Sequence, residues 1–236
     1  MVNMINKDLD ISLYREQFVK NRRVVIDNFL TEEYAEKLYK YYTADMPKEY
    51  WSATYMPSMR YEGDWEWWTN TSENRYNMEQ AYQHACNARD NNLFSYFFFK
   101  TMPVVMEKFD SEMYKETMAF FNGQTMIDFV NSVTDVNIVV GDKTFVSRYA
   151  ENCFLSSHTD DVNGKLAFVC HLTKDWNPDF GGLYFDLRDK NNIRAINPSF
   201  NKLVIFEVTA GVAPHCVTQV VNNSNKERIS VSGWYN

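Results

Sequence analysis

Hydrophobic positions change their period part-way along the chain. The run Arg23-Val-Val-Ile-Asp-Asn-Phe-Leu30 is rich in β-branched residues and predicts a strand. Thr31-Glu32-Glu33 behind it reads as a capped helix start, with the acidic pair at the N-terminal turn and Tyr34, Leu38 and Tyr41 on one face. Between Tyr42 and Arg75 no period is sustained. Pro47, Pro57 and Gly63, with rings at Trp51, Tyr55, Tyr61, Trp65, Trp67 and Trp68, predict an irregular segment packed by its own aromatics. Met78 to Lys100 and Val104 to Phe121 place apolar residues three and four apart, which predicts two helices broken at Pro103.

After Asn122 the period shortens. Asp135 to Val140, Thr144 to Tyr149, Leu166 to Leu172, Gly182 to Leu187, Leu203 to Val208, Cys216 to Val221 and Arg228 to Trp234 are short Val, Ile, Phe and Tyr runs. Gly, Asn, Asp and Pro turns separate them. So many short strands predict a sandwich or barrel. The expected fold class is α+β with a mostly β core, as one domain over residues 1–236. In that reading about 1–134 supplies a strand, helices and the aromatic loop, and about 135–236 supplies the β core.

Composition narrows the function classes. With 45% hydrophobic and 16% aromatic residues the chain has ample material for a buried core and is not disordered. No stretch approaches the roughly 18 apolar residues of a membrane span, and Met1 to Asp10 lacks the layout of a signal peptide, so a cytoplasmic protein is expected. Cys86, Cys153, Cys170 and Cys216 are scattered without a CxxC pair and read as reduced thiols. A net charge of −7 argues against direct nucleic-acid binding and favours a basic protein or peptide as partner.

The chain has only 4 histidines, which makes their placement informative. His158 and Asp160 sit two apart at the mouth of an expected strand, where period-two alternation turns both to one side. His215 lies beside another strand. Two imidazoles and one carboxylate on one face of a metal leave positions open for a co-substrate and O₂, as non-haem Fe(II) oxygenases require. By itself the pattern also fits ordinary hydrogen-bonded core residues. Arg228 favours the ligand reading: it opens the last strand, where it can point into the barrel and bind a carboxylate by two parallel hydrogen bonds. Tyr149, on the strand before His158, can offer its hydroxyl to the same carboxylate.

At Tyr149, His158-Thr-Asp160, Gly181-Gly182, Asn197 to Val208, His215 and Arg228-Ile-Ser-Val-Ser-Gly-Trp234, the sequence resembles the 2-oxoglutarate and Fe(II)-dependent oxygenases. Within them it is similar to the prolyl hydroxylases, in particular the ribosomal-protein prolyl hydroxylases of the OGFOD type. The resemblance runs from about Val24 to the C-terminus and is strongest from Phe145 onward. It implies a double-stranded β-helix (a jelly roll, cupin-like), with His158, Asp160 and His215 as iron ligands and Arg228 holding 2-oxoglutarate. It also implies Fe(II), 2-oxoglutarate and O₂ as the reacting set, with ascorbate as a candidate accessory, and a proline-containing protein or peptide as substrate. Where family members use a Tyr to contact 2-oxoglutarate this chain has His171, whose imidazole can still donate. Asp160 favours hydroxylation, since in related halogenases that carboxylate is missing. Eukaryotic family members carry a further non-catalytic domain, so the resemblance implies the chemistry more than the substrate.

Other features have plain readings. His84 is expected on a helix surface, and Cys216 is expected to face away from the ligands. Gly181-Gly182 suits a turn rather than a phosphate loop, because no GxGxxG helix follows. The Trp51 to Trp68 segment either packs over the helices or lines a peptide groove. Two other functions fit less of this pattern: an oxygenase of a free amino acid or other small molecule, and a non-catalytic metal-binding β-helix module.

Overall fold

A computed structural model describes residues 4–56, 66–160, 163–221 and 226–236. Helix α1 (Ile11–Asn21) starts where the Asp10 carboxylate accepts from the Leu13 N–H at 3.0 Å, and it ends in a left-handed Arg22. β1 (Arg23–Ile26) and α2 (Glu32–Lys40) follow as expected, although the Thr31 side chain makes no capping hydrogen bond. Then come β2 (Trp51–Tyr55), β3 (Glu66–Thr69), α3 (Arg75–Asp90), β4 (Tyr96–Thr101), α4 (Pro103–Phe109), α5 (Glu112–Phe121) and α6 (Gln124–Val133). The remainder is β5 (Gly141–Tyr149), β6 (Phe154–His158), β7 (Leu166–His171), β8 (Tyr184–Asp186), β9 (Arg194–Ile196), β10 (Lys202–Glu207), β11 (His215–Val217) and β12 (Arg228–Tyr235).

Strand pairing defines the architecture. The hydrogen-bonded order is β1-β10-β7-β12-β5-β4-β6-β11-β8-β9. From β5 onward the chain shuttles between two groups, one holding β5, β12, β7 and β10 and the other holding β6, β11, β8 and β9. That alternation is a double-stranded β-helix, the jelly-roll arrangement. All of these pairings are antiparallel.

The helical layer covers one outer face. Phe18 of α1, Leu38 of α2, Phe121 of α5 and Val130 of α6 join Phe168, Ile205, Ile229 and Val231 of the sheet in one buried apolar cluster. Ala81 and Ala85 of α3 pack instead with Ala53, Tyr55 and Phe97 of β2 and β4. Small residues at that spacing let α3 approach the strands closely.

Four expectations are corrected. Tyr96 to Lys100, read as the end of a helix, is β4, which pairs with β6 and then β5 along one edge and with β2 along the other. An aromatic run with sheet partners favours the strand over the helical spacing it also matches. The segment from Tyr42 to Arg75, read as irregular, contains the β2–β3 hairpin. Pro57, Tyr61, Gly63 and Trp65 lie outside the described residues. Asp135 to Val140 is not a strand; the Val139 and Val140 N–H groups both donate to the Asn236 carbonyl, at 2.7 and 3.0 Å. Finally, β9 was not anticipated, because three residues carry too little periodicity to register.

Candidate metal centre

The jelly roll brings His158, the last residue of β6, opposite His215, the first residue of β11. Their ring centroids are 4.2 Å apart. The ladder shifts register after this pair, consistent with a β-bulge at the mouth of the barrel. Asp160 stands beyond the end of β6 rather than on it, which corrects the expectation that strand alternation aligns it with His158. It reaches the pair from a turn, bridging them with Oδ1 3.4 Å from His158 Nε2 and Oδ2 3.4 Å from His215 Nε2. One ligand atom from each residue fits within 4.8 Å of the others.

Each imidazole is fixed from behind. The Nδ1 of His158 lies 3.0 Å from the Ser156 carbonyl and that of His215 lies 2.8 Å from the Ala213 carbonyl. A carbonyl only accepts, so Nδ1 carries the proton and each Nε2 presents a lone pair towards the other ligands. The rings are also clasped by aromatics: Phe94 at 5.2 Å from His158, and Tyr184 at 5.3 Å and Phe206 at 5.0 Å from His215. Burial, with the neighbouring His158, pulls His215 down to about 4 and keeps it neutral. Burial raises the Asp160 carboxyl, but its contacts with His158 and His215 outweigh that and hold it below the usual carboxylate range. Two imidazoles anchored through Nδ1 and one carboxylate suit Fe(II).

A cavity of about 1180 Å³ runs from this cluster across the barrel to Arg228. Arg228 faces Tyr149 across the β12–β5 ladder, with its guanidinium carbon 4.7 Å from the Tyr149 ring centroid. Tyr149 is stacked on Phe98 at 5.0 Å. Arg228 is only 2% exposed, and its Nε has no partner among the described residues. Its stem runs past Gly182, where an added Cβ would lie 3.5 Å from Arg228 Cδ and 3.1 Å from the Trp176 ring. Gly182 has φ +65°, so the Gly181-Gly182 turn serves both the backbone and this approach.

His171 pairs in register with Ser230 and shares the inner face, but it does not line the cavity. It is fully buried, both ring nitrogens lack partners among the described residues, and burial beside Arg228 and Lys202 holds it well below 6.5. Ser147 and Ser230 do line the cavity, hydrogen bonded to each other at 2.8 Å. Sequence reading missed this pair, although Ser230 stands two residues after Arg228 on the same strand face. It also missed Lys100, which was assigned to a helix. His84 is exposed and Cys216 faces away from His215, as expected.

Residues 144–236 match the 2OG-Fe(II) oxygenase superfamily. Over 97 residues, 38% of this chain, the sequence is 35% identical to mouse prolyl 3-hydroxylase OGFOD1. Over 99 residues it is 34% identical to prolyl 3,4-dihydroxylase OGFOD1 of Ostreococcus tauri. The chain spans only 17% and 19% of the lengths of these two relatives. Among solved structures, a Pseudomonas putida prolyl-4-hydroxylase superposes with a TM-score of 0.57 at 14% identity, covering 96% of this chain and 98% of that one. An oxidoreductase of the 2OG-Fe(II) oxygenase family from Burkholderia pseudomallei gives 0.59 at 12% identity, covering 98% and 92%. A Trichoplax adhaerens prolyl hydroxylase, bound to a hypoxia-inducible-factor peptide fragment, gives 0.51 at 14%, covering 95% and 88%. At those identities the likeness shows the fold alone, the jelly roll in which the His158, Asp160 and His215 cluster sits. No helix among the described residues is long and apolar enough to cross a membrane.

Proposed function

We propose that this chain is an Fe(II)/2-oxoglutarate-dependent dioxygenase that hydroxylates prolyl residues of a protein or peptide, with succinate and CO₂ as co-products. The observation that carries the reading is a single cavity with a three-ligand cluster at one end and a buried arginine at the other. The activities named for the sequence relatives support proline as the target. The cavity volume also exceeds what 2-oxoglutarate and a free amino acid need, which favours a peptide.

In this reading His158, Asp160 and His215 hold Fe(II), and Arg228 binds the distal carboxylate of 2-oxoglutarate through parallel N–H donors. Tyr149 adds its hydroxyl to that carboxylate, and Ser230 stands beside it. His171 acts from behind Arg228, as a neutral ring against the guanidinium. Bound Fe(II) supplies the redox chemistry that couples O₂ reduction and keto-acid decarboxylation to oxygen insertion into a C–H bond. The chain's own part is geometric and electrostatic. It places the co-substrate between the two ends of the cavity, neutralises its charge and keeps water away from the reacting bond behind Phe94, Tyr96 and Phe98.

The chain works as one domain in the cytoplasm, with ascorbate as accessory reductant, and its net charge of −7 suits a basic partner protein. The test is an anaerobic titration with Fe(II) and 2-oxoglutarate, followed by the weak visible charge-transfer band of the chelated keto acid. A saturable band in wild type that is lost in His158→Ala is expected. No band in wild type would overturn the proposal.

A further inference from the structure

One polar group of the cavity is left unused by the proposed chemistry. The Trp234 indole Nε1–H is buried and makes no hydrogen bond to any described residue. An indole nitrogen can only donate, and a buried donor without an acceptor is costly enough to call for a physical reason. Trp234 pairs with Ala167 across the β12–β7 ladder, which sets it on the inner face with Arg228, Ser230 and Ser232, and it lines the same cavity as Asp160. The Phe145 ring flanks the indole with centroids 5.9 Å apart, and Trp234 also packs against the apolar cluster that contains Ala167 and Phe206.

The segment that delivers Asp160 lies on this tryptophan. The Asn163 N–H donates to the Asp160 carbonyl at 2.9 Å, and the Lys165 N–H donates to the Tyr235 carbonyl at 2.9 Å. Between them Gly164 sits so close to β12 that an added Cβ would lie 3.1 Å from Trp234 Cβ and 2.9 Å from the Tyr235 carbonyl oxygen. The acceptor within reach of the indole is the Asp160 carboxylate. Burial raises that carboxyl and the two histidines lower it; the Trp234 N–H acts in the lowering direction too, as a donor facing the charged form does.

The three ligands differ in how they are supported. His158 and His215 stand on strands, and each is fixed through Nδ1 by a backbone carbonyl. Asp160 stands beyond its strand, with its two oxygens 3.4 Å from the two Nε2 atoms. A carboxylate can bind a metal through one oxygen or chelate it through both, and chelation takes up a position that the keto acid or O₂ needs. We infer that Trp234 is a positioning residue for the metal centre: its Nε1–H donates to one oxygen of Asp160, leaves the other as the ligand atom, and so keeps the carboxylate from chelating. This assignment rests on the Fe(II) reading of the cluster.

The test exchanges Trp234 for 3-benzothienylalanine, which keeps the fused ring and puts sulfur where the N–H was. Mn(II) serves as the probe, its uptake followed by loss of the free-ion EPR signal and its bound water counted by proton relaxation. An octahedral ion with three protein ligands leaves three positions for water, so a chelating Asp160 should lower the relaxivity of the Mn(II) protein by roughly a third. Binding of 2-oxoglutarate to that protein should weaken by roughly tenfold, about the worth of one charge-assisted hydrogen bond. Trp234→Phe, which also lacks the donor, should behave likewise, and thermal melts check that both proteins are folded. Wild-type relaxivity or wild-type 2-oxoglutarate affinity in the benzothienylalanine protein would overturn the inference, because ring shape alone would then account for Trp234. Failure of the Fe(II) reading looks different: wild type itself would leave the free Mn(II) signal undiminished, and the positioning role would fall with the metal centre.

Discussion

The two faces of β12 divide the work of the molecule. On the outer face Ile229, Val231 and Tyr235 are fully buried against the helical layer, where Phe121 stacks on Phe168 at 5.5 Å and the Tyr235 hydroxyl donates to the Phe121 carbonyl at 2.8 Å. On the inner face Arg228, Ser230 and Ser232 line the cavity. There the Arg228 Nε and both His171 nitrogens are buried without partners among the described residues. Each unsatisfied buried group costs on the order of 1–3 kcal/mol. The inner face is thus held open for a ligand against its own desolvation, and the apolar outer face offsets that cost. Because side chains alternate, one strand carries both roles without compromise.

Substitutions on the two faces should separate metal and ligand binding from stability. The largest effect is expected at the cluster: Asp160→Ala should lower metal affinity by more than about a hundredfold and abolish turnover, with an unchanged thermal midpoint, since it touches nothing in the outer cluster. Metal titration beside a thermal melt measures both. Next, Ile229→Ala should cost about 2–5 kcal/mol in urea unfolding, yet leave 2-oxoglutarate affinity intact where the protein remains folded. Weakened co-substrate binding there would mean that the faces are coupled.

Arg228→Met should do the converse. It loses a charge-assisted bidentate contact, so 2-oxoglutarate binding measured by calorimetry should weaken by roughly ten- to a hundredfold, or about 1.4–3 kcal/mol. Replacing a buried charge with an apolar side chain of similar length should hold or raise the stability of the unliganded protein.

The smallest effect tests Lys100. Burial depresses it to about 8 from 10.5, so between those pH values the unfolded chain binds more protons than the folded one. Wild-type stability should therefore carry a rising contribution as pH increases from about 8 to 10.5, and the penalty should be fully present below pH 8. Discounted for partial exposure, this is about 1–2 kcal/mol. Lys100→Met should remove that contribution and be more stable than wild type at pH 7, as read from chemical denaturation across the pH range.

What could be read in advance follows from how local each feature is. The alternation in Arg228-Ile-Ser-Val-Ser is a local signal, and it marks Arg228 as facing opposite to Ile229 before any fold is known. The short His158 to Asp160 spacing is equally visible, although a turn rather than a strand delivers it. The segment from Phe94 to Lys100 misled because aromatics three and four apart match a helix, while the partners that make it a strand lie in β2, β5 and β6. Lys100 was missed with it. The hairpin of β2 and β3 was hidden in the same way, since a strand four or five residues long is defined by its neighbour more than by its own pattern.

By itself the sequence determined the β-rich C-terminal half, the period-two faces of its strands and the residue types able to hold iron and a dicarboxylate. Those properties depend on side-chain chemistry and on neighbours a few positions away. Only the tertiary structure decided that β6 pairs with β11, which sets His158 against His215, and that β4 pairs along one edge with both β5 and β6, which brings Lys100 into the cavity. Sheet pairing joins segments far apart in the chain through backbone hydrogen bonds that are the same for every residue, so local periodicity leaves the choice of partner unspecified.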